Sequence, residues 1–148
     1  DGGCKYRDYG SDFCCAGTVG PPSDKQLKMQ EMVVKITNTL VNATRPAMRA
    51  CDIDALDTKE WQKYGYDYSK IDFGGGRIGH GTGLFGTEPP HIGPNDTTVI
   101  RPGMIFTIEP GMPTEFGCFQ AETNVVVTEN GCDVLNKMDW DLRVISTI

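Results

Sequence analysis

Apolar residues recur at helical spacing in one stretch of the chain: Met29, Met32, Val33, Ile36 and Leu40 stand three or four apart, the interval that lines one face of an α-helix. Ser23 followed by Gln26 has the pattern of a capping box, in which each residue takes up a backbone N–H that the first turn leaves free. A helix is therefore predicted from about Asp24 to Ala43, with Pro46 ending it. A second, shorter helix is predicted through Ile53, Leu56 and Tyr64, with Asp52 as its N-cap and Gly65 as its C-terminal stop. Core packing accounts for both apolar stripes.

The pattern changes on either side of this helical part. Gly3 to about Val19 mixes aromatic, cysteine and small residues around Gly10, which predicts two short strands joined by a turn there, before Pro21 and Pro22 break the sheet. From Phe73 onward glycines and prolines crowd between Gly74 and Pro94, and apolar runs follow at Met104 to Ile108 and Val125 to Thr128. This half is predicted to be mostly strands. Asn130-Gly131 is a turn signal that joins Val125 to Thr128 with the strand-like Asp133 to Leu135. No repeat or linker interrupts the 148 residues, so one domain is expected.

Composition narrows the class. A hydrophobic content of 39% with 23% charged residues is that of a soluble, core-forming chain. The formal charge of -6 comes from acidic residues spread along the whole length, with no basic patch. Nucleic acid and anionic membrane are poor partner expectations, and no run approaches the ~20 apolar residues that cross a bilayer. A strand-like stretch begins at Asp1 with no methionine and no signal-like segment, which suggests a fragment. Cysteines 4, 14, 15, 51, 118 and 132 form no Cys-x-x-Cys pair, which argues against zinc-finger chemistry. Their even number permits disulfides, and Asn42-Ala-Thr44 and Asn95-Asp-Thr97 fit the glycosylation pattern. Such short patterns recur by chance, so a reduced, cytoplasmic chain is the simpler expectation.

Four places put a metal-capable side chain in a glycine-rich or strand context. Asp1 and Asp12, eleven residues apart, suit two neighbouring strands with both carboxylates aimed at one point. His80 sits between Gly79 and Gly81, where absent side chains leave the imidazole accessible. Glu109 closes the run Ile105-Phe-Thr-Ile-Glu109 just before Pro110-Gly111, and Glu122 opens the next apolar strand. Glutamate is disfavoured in a strand unless it is exposed or paired with a cation. Singly, each of these residues is as well explained by solvation. As a set, four carboxylates and one imidazole suit hard or borderline divalent ions such as Mn, Fe, Co or Zn, and four negative charges offset two dications.

The order of the motifs resembles a known family. It comprises Asp1-Gly-Gly, Ser11-Asp12, Gly79-His80-Gly81-Thr82-Gly83-Leu84 with Glu88-Pro89-Pro90, Arg101-Pro-Gly-Met104, Thr107-Ile-Glu109-Pro110-Gly111, and Glu122 before Val125-Val-Val-Thr128-Glu-Asn-Gly131. With Thr44-Arg45-Pro46-Ala-Met48 between the two helices, this is similar to the peptidase family of prolidase, Xaa-Pro aminopeptidase, methionine aminopeptidase and creatinase. The resemblance spans essentially the whole chain.

It implies an α+β pita-bread fold, a curved and mainly antiparallel sheet with helices on its outer face. Residues 1–148 would be the metal-binding part of the catalytic domain, with an upstream helical half and any amino-terminal domain absent. By the same resemblance Asp1 is a ligand of one metal, His80 and Glu109 are ligands of the other, and Asp12 and Glu122 bridge the two. A water or hydroxide between the ions would attack a peptide or amide carbonyl while Glu109 handles the proton. The full-length protein would be a homodimer.

The substrate shell departs from the family pattern. Where family peptidases carry a second histidine seven residues after the ligand histidine, this chain has Thr87, and where proline-specific members have one four residues before it, this chain has Gly76. Gln120 replaces the arginine two residues before the last glutamate, and Cys14-Cys15 replaces the Thr-Arg after the second aspartate. His91 could stand in for a lost imidazole, against the simpler reading of an exposed loop histidine. Three functions are open. The first is an Xaa-Pro peptidase-like dinuclear metallohydrolase. The second is a small-molecule enzyme of the creatinase, ectoine hydrolase or dimethylsulfoniopropionate lyase kind. The third is a non-catalytic binding protein. Retention of all five donors argues against the third and against a metal-free, creatinase-like mechanism.

Overall fold

The computed structural model describes residues 1–71, 73–137 and 139–146. Its strands are β1 (Lys5–Tyr6), β2 (Tyr9–Gly10), β3 (Gly17–Val19), β4 (His80–Gly81), β5 (Glu88–His91), β6 (Ile105–Ile108), β7 (Gly111–Thr114), β8 (Gly117–Gln120), β9 (Thr123–Val127), β10 (Cys132–Val134) and β11 (Arg143–Ile145). Two α-helices, α1 (Asp24–Ala43) and α2 (Ala50–Lys63), and a short 3-10 turn at Tyr68–Lys70 complete the described elements. Five strands form one antiparallel sheet in the order β10-β9-β6-β4-β5. After Phe73 the described residues contain strands and no helix, as the glycine and proline pattern predicts.

Helix α1 has the predicted limits and the predicted cap. The Ser23 N–H donates to Gln26 Oε1 at 2.8 Å, and the Gln26 N–H donates to Ser23 Oγ at 3.4 Å. Its stripe of Met29, Val33, Ile36 and Leu40 is buried and packs with Ile53 and Trp61 of α2 and with Phe106, Ile108, Val125 and Val127 of the sheet. Helix α2 begins earlier than predicted. Arg49 is the N-cap and Asp52 lies inside the first turn, where its carboxylate accepts the Arg49 N–H at 2.9 Å and pairs with the Arg49 guanidinium at 2.7 Å. The acid does serve the helix start, but it reaches back from the third position instead of standing before the first turn. Gly65, at φ +85°, takes the predicted stop.

The amino-terminal turn also lies elsewhere than predicted. Arg7 and Asp8 both have positive φ, 50° and 71°, and Gly10 is inside β2, so the β1–β2 hairpin reverses two residues earlier. Paired positive φ values match the right-handed twist of the flanking strands, and here non-glycine residues supply them. The predicted β9–β10 hairpin forms around Asn130-Gly131, pairing Cys132 with Val127. Strand β3 pairs with β11 in parallel, a long-range closure that no local pattern announces.

Register assigns the two faces of the sheet. Phe106 pairs with Val125 and Ile108 with Thr123, and all four are fully buried, on the face that meets the helices. Thr107 pairs with Asn124 between them and so lies on the opposite face. One further step along the same register sets Glu109 across from Glu122. Two glutamates directly opposite on adjacent strands repel unless a cation joins them.

Candidate metal centre

Three chain segments converge on the face opposite the helices. The first carries Asp12: Gly2 and Phe13 are bridged, Cys15 and Ala121 are bridged, and the Glu122 N–H donates to the Cys14 carbonyl at 3.4 Å. These contacts hold residues 12 to 15 alongside the start of β9, where the Asn124 side-chain amide donates to the Asp12 carbonyl. The second segment is β4. Gly81 pairs with Phe106, so His80 falls opposite Thr107, and the His80 N–H donates to Thr107 Oγ1 at 3.0 Å. Gly79 is required there, because a Cβ would fall 2.1 Å from the Thr107 carbonyl oxygen. The third segment is the β6–β9 pair with Glu109 and Glu122.

Ligand atoms of Asp12, His80 and Glu122 all lie within 4.8 Å of one another. His80 Nε2 is 3.7 Å from Asp12 Oδ2 and 3.5 Å from Glu109 Oε1. Its other ring nitrogen, Nδ1, lies 3.0 Å from the Gly81 carbonyl oxygen. A carbonyl only accepts, so Nδ1 carries the proton and Nε2 presents its lone pair to the carboxylates, the tautomer a metal-binding imidazole needs.

Burial pushes the Glu122 carboxyl up to about 8, and the neighbouring Glu109 and Asp12 charges add to the rise. Glu109 is pushed up to about 7, chiefly by burial, with Asp12 adding to the rise and Arg77 and Thr107 opposing it. Glu122 Oε1 is buried without a hydrogen-bond partner. A buried carboxylate with a partnerless oxygen, close to an imidazole lone pair and a second carboxylate, is costly as it stands and is satisfied by a cation. Oxygen donors plus one imidazole are the chemistry of hard or borderline divalent ions, so the residues present fit such a metal.

The other residues singled out in the sequence have different surroundings. Asp1 is exposed, and its backbone lies near Cys14 and Glu122. Thr87 is exposed. The Gln120 amide donates to the Glu109 carbonyl at 3.3 Å and lies 3.4 Å from Glu109 Oε2, so it supports the acid. His91 is half-buried in β5 and is the Cα partner of His80, not an exposed loop residue. Thr107 and Asn124 were not anticipated, although each stands two residues from an acid on a strand and so shares its face. Trp140 was also missed; its indole N–H donates to the Glu122 carbonyl at 3.1 Å.

The chain is similar to known proteins over most of its length. The profile of metallopeptidase family M24 matches residues 1–129. The Xaa-Pro dipeptidase of Pyrococcus furiosus is 36% identical over 143 residues, which cover 96% of this chain and 40% of that protein. Among solved structures, the prolidase from Pyrococcus furiosus superposes with a TM-score of 0.83 at 36% identity, covering 93% of this chain and 40% of that one. The X-Pro aminopeptidase from Thermotoga maritima superposes with a TM-score of 0.88 at 25% identity, covering 97% and 39%. The chain thus spans about 40% of the length of the curated relatives it matches. With its mainly antiparallel sheet backed by two helices, the chain belongs to metallopeptidase family M24 and has the pita-bread fold.

Proposed function

We propose that this chain is the metal-binding part of a dinuclear metallohydrolase that cuts peptide or amide bonds, with an Xaa-Pro dipeptide as the nearest substrate class. The observation that carries the reading is the convergence of Asp12, His80 and Glu122 within 4.8 Å, with Glu109 3.5 Å from the same imidazole nitrogen. Asp1, Asp12, His80, Glu109 and Glu122 would hold two divalent ions drawn from Mn, Co, Fe and Zn. When bound, the ions supply an acidified water and a polarised carbonyl.

The chain's own residues do the rest. Thr107 and Asn124 fix the backbones of His80 and Asp12, so two donors from distant segments stay in place. Without metal, burial pushes the Glu109 carboxyl up to about 7; in the loaded centre it is the residue to which we assign handling of the reaction's proton. Gln120 steadies that carboxylate. We assign the whole of residues 1–148 to one catalytic-domain segment of a homodimer in a reducing cytoplasm. All six cysteines are unpaired, and no helix among the described residues is long and apolar enough to cross a membrane.

A second reading, a small-molecule enzyme on the same centre, draws on the changed shell: Thr87 points to solvent and Gln120 is engaged with Glu109. The full-length protein, loaded with Mn or Co, is expected to bind two ions per chain by elemental analysis and to cleave Xaa-Pro dipeptides. A folded protein that retains no metal overturns both enzyme readings. Turnover of creatine, ectoine or sulfonium compounds in place of dipeptides selects the second.

A further inference from the structure

A row of side chains crosses the sheet at the metal centre. His91 is the Cα partner of His80, His80 lies opposite Thr107, and Thr107 pairs with Asn124. The β4–β5 register shifts at a bulge between His80 and Gly81, and His91 stands across from the ligand histidine at that bulge. The His91 backbone is tied down, with the N–H donating to Asp96 Oδ2 at 2.7 Å. Its ring Nδ1 lies 3.4 Å from Arg77 Nη1. A guanidinium has only donors, so His91 Nδ1 accepts, and in the neutral ring the proton sits on Nε2. Arg77 thereby turns His91 into an N–H donor in the same row as His80.

Among the described residues no carboxylate is paired with Arg77. The arginine is half-buried, and its Nε is buried without a partner. Its charge reaches Glu109, yet four carboxylates are already offset by two dications once the centre is loaded. A half-buried guanidinium beside a neutralised centre attracts an external anion, and its planar fork matches a carboxylate. The positions at which substrate contacts were expected do not supply this: Thr87 is exposed and the Gln120 amide is spent on Glu109.

We infer that Arg77 and His91 form a carboxylate-binding subsite beside the metal ligands, one that recognises a free carboxylate near the bond to be cut. Arg77 is both a binding residue and the positioning residue for the His91 ring. The inference rests on the peptide reading above.

The test uses the full-length, Mn-loaded protein with three measurements. The kcat/KM ratio for alanyl-proline over alanyl-prolinamide is expected to exceed about tenfold and to fall below about threefold in Arg77→Met, mainly through KM, with partial rescue in Arg77→Lys. No preference in the parent, or an equal loss on acid and amide, overturns the subsite. Calorimetric binding of proline and prolinamide applies the same criterion should no peptide be hydrolysed, which separates failure of the subsite from failure of the peptide reading. Nitrogen-15 shifts of His91, recorded with diamagnetic Zn in place of Mn and assigned by their loss in His91→Gln, are expected to show the Nε2–H tautomer and to lose it in Arg77→Met. An Nδ1–H tautomer in the parent overturns the positioning role.

Discussion

Among the described residues, two places bury carboxylate oxygens without a hydrogen-bond partner, and they differ in their company. At the metal centre, Glu122 has one oxygen, Oε1, buried without a partner, and its carboxylate meets His80 and Asp12 from other chain segments. On α2, Asp57 is fully buried with neither oxygen partnered, beside Asp54 and Glu60 of its own helix and the Trp61 indole N–H. Both carboxyls are pushed up by burial first and by neighbouring acids second. Only at the centre does an imidazole lone pair enter the same space. A raised carboxyl therefore records burial. It is the convergence of unlike donors from distant strands that records a site.

That contrast can be broken by substitution. The largest expected effect is at Glu109. In the full-length enzyme Glu109→Gln should lower kcat by about 10²–10⁴-fold, the usual share of a general acid–base group, with the circular dichroism spectrum kept. Unchanged turnover would remove Glu109 from proton transfer.

A smaller loss is expected at Thr107, whose hydroxyl accepts the His80 N–H at 3.0 Å and lies beside the Glu109 carboxyl. Thr107→Val keeps the shape and removes the acceptor, so metal affinity should fall by about 10–100-fold in a chelator competition titration. An affinity within about twofold of the parent would show that the strand register alone holds His80.

The smallest effect sharpens the comparison through pH. Glu109 at about 7 and Glu122 at about 8 lie above the ordinary 4.5. The folded, metal-free protein therefore keeps protons that the unfolded chain releases. The stability these groups contribute is complete below about pH 4.5 and is lost as pH rises through about 7 to 8. Divalent metal takes the place of those protons, so the gain in Tm from added Mn should widen across that window, with protons released on binding.

Asp57 is also raised, so its contribution is likewise lost as pH rises, but no cation relieves it. Asp57→Asn should flatten its part of the metal-free stability curve, change stability near neutral pH by less than about 1 kcal/mol and leave the metal-dependent part intact. Loss of metal response in Asp57→Asn would join the two regions into one site.

Local signals were legible where the chain answers to its near neighbours. The helical spacing of Met29, Val33, Ile36 and Leu40 and the Ser23–Gln26 cap are properties of residues a few positions apart, and α1 follows them to the residue. The start of α2 was misplaced because an acid three residues inside a helix and an acid at its cap serve the same free N–H groups. The reversal at Arg7–Asp8 was missed because neither residue carries the glycine signal for positive φ. Thr107 and Asn124 stood in plain alternation with Glu109 and Glu122. A hydroxyl and an amide go unremarked in a search for metal donors, although they hold two of the donors in place.

The sequence by itself determined the donors: their types, their order, their strand-end settings and the family they resemble. It could not determine that Glu109 falls across from Glu122, that Asp12 is tied to Asn124 over 112 residues, or that His91 leaves its supposed loop to pair with His80. Those outcomes depend on strand register. A shift of one residue moves every side chain to the other face of the sheet, and the buried face of Phe106, Ile108, Val125 and Val127 against the helices excludes that shift. The core selects the register, and the register assembles the centre.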